Sequence, residues 1–368
     1  MLEFPQPIKG GSIEDLRSFI NLSDEESWIL LVSYLLFSLN PKGPFPILIV
    51  QGEQGSAKST FCRVIRSLID PATPPLRSMS GGIRDLMIAA QNGWLMTYDN
   101  LSGLSSLLSD ALCRLSTGGG FGTKELYSDS TETLFEASRP VCLNGITEFA
   151  TRDDLLDRAL ILKLPSIPDD QRKAEKSFWK EFSKAQPRIL GGLFDVLSKA
   201  LNYLPDVELE STPRMADFAK FSIAIEKAMG WHKNTFMSAY NHNRMLATEA
   251  SHESDPVALA VINLDKNKWK GTATVLLDVL SNQISDTVRR SKSWPNTPNW
   301  LSNRLKRLVP SLRTIGIEIE FERESNSRYI TIIKTDKFTV SGVRTVSLIN
   351  QQSSIDGDLD DLMDDEDF

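Results

Sequence analysis

The sequence predicts an α/β fold built on a parallel sheet and flanked by helical units. Three observations point to it. Residues 47–60, ILIVQGEQGSAKST, join a short β-branched run to a glycine-bearing loop, and Phe61, Val64, Ile65 and Leu68 then fall on one helical stripe. From 46 to about 165, apolar strands alternate with helical stretches. The strands are apolar throughout rather than alternating, as strands covered on both faces are.

The elements follow in order. Residues 1–44 predict a helical segment, SIEDLRSFINL and DEESWILLVSYLLFSL, the second opened by a capping box of Ser23 with Glu26. Pro41, Pro44 and Pro46 break the chain before the first strand. Residues 45–167 form the predicted core. In it, GWLMTYDN is a strand running from Trp94 to Asp99, and Val141–Leu143 is another, ending at Asn144. FGTKELY and TETLF flank SDS as a hairpin carrying Lys124, and TRDDLLDRALILKLP sets Arg152 and Arg158 before a last strand. Residues 168–252 are helical by period, punctuated by Pro187, Pro205 and Pro213. In residues 253–345, WKGTATVLLDVL and TPNWLSNRLKRLVPSLRTIGI predict helices, and IEIEFERE and RYITIIK predict strands. Two helices and a hairpin make a winged-helix-like domain, with Arg304, Lys306, Arg307 and Arg313 as phosphate contacts on its second helix. Residues 346–368 turn polar and acidic and predict disorder.

The loop carries the chemistry. It fits the pattern GxxxxGK(S/T) at Gly52, Lys58 and Ser59 but has Ala57 where the pattern has glycine. Such a loop turns backbone N–H groups toward phosphates, and the following helix adds partial positive charge. Gly52 and Gly55 can take positive φ; position 57 is expected to open the helix at negative φ, where alanine is tolerated. Gly52, Glu53, Gln54, Gly55, Ser56, Ala57, Lys58, Ser59 and Thr60 are therefore the candidate nucleoside triphosphate site. Lys58 reaches the β- and γ-phosphates, and Ser59 and Asp99 hold magnesium. Beside Asp99 stands Asn100, which can orient water but cannot take its proton; Glu53 is the alternative base. Asn144 can hold the attacking water, and the fixed fork of Arg152 or Arg158 suits a γ-phosphate.

These segments resemble a known family. GEQGSAKST, YDN, TGGGFGTKELY, LNGI and DRALILKLP stand in the order of the superfamily 3 helicase motifs, and look most like the ATPase module of primase-helicases from phages, plasmids and integrated elements. The resemblance covers roughly residues 45–165. It implies an AAA+ core binding ATP and Mg2+, assembled as a homo-oligomeric ring, usually a hexamer, that moves on single-stranded DNA. It assigns Walker A to Gly52, Gly55, Lys58 and Ser59, and Walker B to Asp99. Lys124 becomes the DNA-facing hairpin residue, Asn144 sensor 1 and Arg158 the arginine finger, a better fit than Arg152. The helices after 168 become the lid, with Arg214 either a second sensor or a surface arginine. Ala57 and Asn100 depart from the family pattern, and Asn100 predicts slow basal turnover.

Composition narrows the function classes. The chain has 368 residues, 41% of them hydrophobic, enough for two or three domains. Three cysteines without paired spacing point to a reducing, cytoplasmic setting and no zinc site, and His232, His242 and His252 lack ligand spacing. No signal peptide is expected, and Trp28–Leu39 is too short for a membrane span of about 20 residues. The net charge is −7, but eight acids lie in the last 13 residues, and without them it is +1. That tail, with Leu359, Leu362, Met363 and Phe368 among its acids, is either a solubility device, a dock for a primase or single-stranded DNA-binding partner, or a DNA mimic. The function expected is a replicative helicase of a mobile element, the alternative an ATP-regulated initiator or assembly factor without processive unwinding. A small-molecule kinase would leave the hairpin unexplained.

Overall fold

The structure, a computed structural model, describes residues 2–79, 81–124, 132–146, 152–291, 293–324 and 327–335. It is a mixed α/β chain around a parallel sheet. Ile13–Phe19 is a 3-10 helix, shorter than the helix expected there, and α1 (Glu25–Phe37) follows. The cap of α1 lies one residue later than the capping box predicts: the Asp24 carboxylate accepts the Ser27 N–H, and Ser23 donates to Asp24. From Trp28 to Phe37 every residue of α1 is buried, which explains an apolar run with no polar stripe.

Next come β1 (Ile47–Gln51), α2 (Lys58–Ile69), α3 (Ile83–Asn92), β2 (Met96–Leu101) and α4 (Ser106–Thr117). The antiparallel pair β3 (Gly120–Lys124) and β4 (Glu132–Glu136) is followed by β5 (Val141–Gly145), α5 (Asp153–Leu156) and β6 (Ala159–Lys163). Four strands form one parallel sheet in the order β2-β5-β1-β6. Alternate residues of β1 feed different cores. Leu48 and Val50 join α1 and α2, whereas Ile47 and Ile49 join α3 and α4. Both faces are thus covered, as the apolar strands require.

The helical stretch resolves into α6 (Glu175–Tyr203), α7 (Ala216–Met229) and α8 (Thr235–Ser254). Pro187, expected to punctuate, lies inside α6. Burial of Phe182, Ile189, Leu190 and Leu193 on either side of it outweighs the lost hydrogen bond. From α8, Asn243 reaches the outer edge of β6: its Oδ1 accepts the Ile161 N–H at 3.0 Å and its Nδ2 donates to the Ile161 carbonyl at 2.7 Å.

The C-terminal unit has its own core and contains α9 (Pro256–Ile262), β7 (Lys268–Thr272), α10 (Ala273–Ser281), α11 (Asp286–Arg289), α12 (Pro298–Thr314), β8 (Ile317–Glu324) and β9 (Ser327–Lys334). Its antiparallel sheet runs β7-β9-β8. Residues 269–272, expected to start a helix, belong to strand β7 because Trp269 turns into the core while Lys268 and Lys270 stay exposed, a period of two. Among the described residues, no helix is long and apolar enough to cross a membrane. The acidic tail lies outside the described residues.

Candidate functional site

The loop between β1 and α2 sits at the carboxyl end of the sheet. Gly55 has φ +87, and a Cβ there would come within 2.7 Å of Arg172 Nη2. Ala57 departs from expectation. It is the residue before α2, at φ 62 and ψ 30, in the left-handed region. The helix begins one residue later, at Lys58, so the glycine of the pattern serves the turn and not the helix. Alanine pays about 1–2 kcal/mol for that conformation. Ala57→Gly should therefore stabilise the protein by up to about 1 kcal/mol after the unfolded-state entropy of glycine is counted. Denaturant unfolding measures this, and a destabilised variant would contradict the strain.

Lys58 opens α2, and its ammonium donates to the Gly52 carbonyl at 2.8 Å and the Glu53 carbonyl at 2.7 Å. Burial lowers its pKa below the ordinary lysine value, while the Asp99 charge acts the other way. On the next residue, the Ser59 hydroxyl donates to Asp99 Oδ1 at 2.8 Å. What brings Asp99 there is an irregularity. The pairing of β2 with β5 shifts register between Tyr98 and Leu101, and Asn100 has φ 56. A bulge of this kind re-aims the neighbouring side chain, and asparagine tolerates the left-handed region better than most residues. Asn100 thus has a backbone role, and its N–H donates to Asn144 Oδ1 at 2.9 Å.

Asn144, only 1% exposed, is committed at both ends of its amide, since Nδ2 donates to Cys62 Sγ at 3.2 Å. Cys62 in turn lies 3.5 Å from Cys142, sulfur to sulfur. Glu53 does not point at the loop mouth; its carboxylate accepts the Ser166 hydroxyl at 3.0 Å. The Ser56 hydroxyl closes the loop onto the Glu53 carbonyl at 2.9 Å, and Asn21 donates to the Ser56 and Pro165 carbonyls. Gln54 is exposed, and Thr60 borders a cavity of about 780 Å³ beside the loop.

The arginines divide. Arg158 precedes β6, where its carbonyl accepts the Ile47 N–H, so it stands at the end of the sheet opposite the loop. Its side chain is 16% exposed, and the guanidinium is held by the Asp154 carboxylate and carbonyl. Burial raises the Asp154 pKa, but the Arg158 hydrogen bond and the charges of Arg158 and Arg214 outweigh it and hold the carboxyl below its usual range. Arg214 bridges Asp154 and Asp157 at 3.0 and 2.9 Å, far from the loop, and Arg152 pairs with Asp110. Arg172, which no motif flags, lies against Gly55 and pairs with the exposed Asp169 at 2.9 Å.

Lys124 ends β3 opposite Glu132, and the connecting residues 125–131 lie outside the described residues. On α12, Arg304 is not an open contact. It is bound to Asp255, whose side chain is 6% exposed and also caps α9. Lys306 sits over the Phe321 ring at 5.5 Å, and Arg307 and Arg313 are exposed.

No curated protein matches the chain. Among solved structures, the apo NrS-1 C-terminal region aligns at 12% identity and a TM-score of 0.43, covering 91% of this chain and 79% of that one. JCV helicase, in a crystal structure with a substituted phenylacetamide compound bound, aligns at 12% identity and a TM-score of 0.28 over 61% and 66% of the two chains. Both likenesses are loose. A family model described as actinomycete integrative conjugative element replication protein matches residues 13–243, and its partner, the RepA C-terminal domain of these elements, matches 257–351. The chain belongs to the family of replication proteins of actinomycete integrative conjugative elements.

Proposed function

We propose that the protein is an ATP-driven, ring-forming motor that acts on single-stranded DNA during replication of a mobile element. The observation that carries this reading is the 2.8 Å hydrogen bond from Ser59 to Asp99, two residues 40 apart that meet at the mouth of a glycine loop beside the Lys58 ammonium. A hydroxyl and a carboxylate are hard oxygen donors that suit magnesium. Ser59 and Asp99 would hold that ion, and Gly52–Thr60 the phosphates of ATP. Bound magnesium would offset charge developing on the phosphates. Lys58, freed from the Gly52 and Glu53 carbonyls, would supply the charge facing the β- and γ-phosphates. Asn144 keeps the end of β5 aligned with the bulge of β2, and Arg158 would serve the site of a neighbouring subunit.

A DNA role draws on two further features. Lys124 belongs to a two-stranded pair outside the main sheet. The order α9, β7, α10, α11, α12, β8, β9, with β9 central in its sheet, supports reading the described part of residues 253–345 as a winged helix. The domain reading is then an N-terminal segment to 44, a nucleotide core to 167, a lid to 252, the winged helix to 345 and the acidic tail. Lys124→Ala and Lys306→Ala/Arg307→Ala should weaken single-strand binding about equally across sequences and reduce the salt slope by about one per lost phosphate contact. Arg304→Ala should instead lower the stability of the C-terminal unit, because it leaves buried Asp255 without its cation. Fluorescence anisotropy across a salt series, beside thermal melts, separates the two; loss of DNA affinity with Arg304→Ala at unchanged stability would reverse this assignment.

A second reading keeps the same site. Asn100 carries no carboxylate and Glu53 is turned to Ser166, so neither of the two candidate bases stands ready to take a proton. That supports a slow ATPase, an initiator or assembly factor that binds DNA without processive unwinding. Strand displacement measured with DNA-stimulated ATP turnover decides between them. Turnover coupled to unwinding supports the motor; nucleotide-dependent ring assembly without unwinding supports the initiator.

A further inference from the structure

Beside the glycine loop, the cavity of about 780 Å³ lies between residues Ser18–Asn21 and the start of α6. Its volume is in the range of small-molecule sites. The loop enters it through Gly55, Ala57 and Thr60, and its far wall is aromatic: Phe19, Phe178 and Trp179. The rings are locked edge to face, Phe19 to Phe178 at 5.8 Å and Phe178 to Trp179 at 5.2 Å between centroids.

The polar side chains around those rings are mostly engaged with one another. Arg63 donates to Glu175 at 2.8 Å and lies 5.2 Å from the Trp179 ring centroid, and the Trp179 indole N–H donates to the same carboxylate. Asn21 is spent on the Ser56 and Pro165 carbonyls, Ser166 on Glu53, and Arg172 on Asp169. Ser18, Thr60 and Gln171 also line the cavity, so a planar ligand meets aromatic rings together with a few small or flexible polar side chains rather than a fixed array of donors and acceptors.

We infer that this cavity is the nucleoside half of the site and that it reads a purine by its faces, so that GTP is accepted nearly as well as ATP. The inference rests on the nucleotide reading of the loop. Its physical basis is an asymmetry in recognition. A pocket that hydrogen-bonds a substrate's edge rejects an analogue lacking those groups by about 10⁴–10⁵, whereas an apolar pocket separates similar shapes by only about 10–200-fold. Adenine and guanine share a bicyclic face and differ at their edges. With Arg63, Glu175, Asn21 and Ser166 tied into internal bonds, edge discrimination is left to Thr60 and to the exposed Ser18 and Gln171, which no packing holds in one position. The Arg172–Asp169 pair is exposed and thus weak, so Arg172 can exchange Asp169 for a phosphate oxygen without much loss.

The test uses the full chain with magnesium. Non-hydrolysable analogues of ATP and GTP, and inorganic tripolyphosphate, compete against a fluorescent ATP analogue, and Trp179→Leu is measured beside the wild type. The expected result is ATP and GTP analogues within about tenfold of each other, tripolyphosphate at least 100-fold weaker, and Trp179→Leu weakening both nucleosides about equally, by roughly 5–100-fold. Tripolyphosphate binding as tightly as the ATP analogue would overturn the pocket while leaving the loop reading intact. An ATP preference above 100-fold would overturn face reading, and this comparison needs no variant. If neither nucleotide nor tripolyphosphate binds the wild type, the loop reading fails and the pocket with it.

Discussion

Lys58→Ala should abolish nucleotide binding and turnover together while leaving the fold intact. Among the described residues, the hydrogen bonds of the lysine go to the Gly52 and Glu53 carbonyls and the Ser56 hydroxyl, all in its own loop, and it takes no part in the apolar cores. Each charge-assisted hydrogen bond it would make to phosphate is worth about 1.5–3 kcal/mol. Two such bonds correspond to a loss of at least 100-fold in affinity. Thermal unfolding should move by no more than a few degrees, because the bonds given up are partly exposed and local. Equilibrium binding of a labelled nucleotide measures the first quantity and calorimetry the second. Ordinary affinity in this variant would remove the basis of the whole functional reading.

The second large effect is expected at Arg158. It precedes β6, and the loop follows β1, its parallel neighbour, so a strand's length of about 16 Å lies between them. The guanidinium cannot serve its own subunit's loop across that distance. If it serves a neighbour's, Arg158→Ala should lower turnover by about 10³-fold with nucleotide binding unchanged. Subunits carrying Lys58→Ala still offer Arg158, so mixing the two inactive variants should restore part of the activity. Arg158→Lys is the control for local structure. It keeps a cation for Asp154 but not the planar fork, and should stay as inactive as the alanine variant. Mixed rings, verified by native mass spectrometry, that show no recovery would count against the trans role, and the Asp154–Arg214–Asp157 cluster would then be structural alone.

How far the sequence carried depended on the range of the forces involved. The parallel sheet was legible because burial on both faces leaves an unbroken apolar run, as in Ile47–Val50 and Val141–Leu143. The buried α1 was legible for the same reason. Local rules failed where tertiary packing or backbone geometry decided. Pro187 reads as a break, yet α6 continues through it because apolar residues on both sides are buried. Trp269 reads as the start of a helix, yet pairing with Ile332 in β9 makes it a strand residue. At the site, residue types and order located the loop and Asp99, but not that Ala57 is left-handed or that Asn100 forms a bulge; both are dihedral facts invisible in a one-letter pattern. The ion pair of Arg304 was not legible because its partner, Asp255, is 49 positions away. Arg172 had no signal at all, since only the path of residues 165–172 past the loop brings it to Gly55.

The side-chain amide of Asn243 on Ile161 has a consequence for assembly. A parallel sheet has two open margins, each a template on which another chain can extend the ladder. At β6 the amide mimics one peptide unit of a neighbouring strand, satisfying the donor and acceptor at the middle of the strand. At β2 the Arg77 backbone does similar work, donating to the Thr97 carbonyl and accepting from the Asp99 N–H. Copies of the chain are thereby denied a continuous main-chain seam along either margin. If the proposed ring forms, its subunits would then join through side chains on discrete patches rather than through a backbone ladder along this sheet. On the ring reading proposed above, such side-chain interfaces would let one subunit part from the next, whereas backbone ladders between copies would favour open-ended fibres.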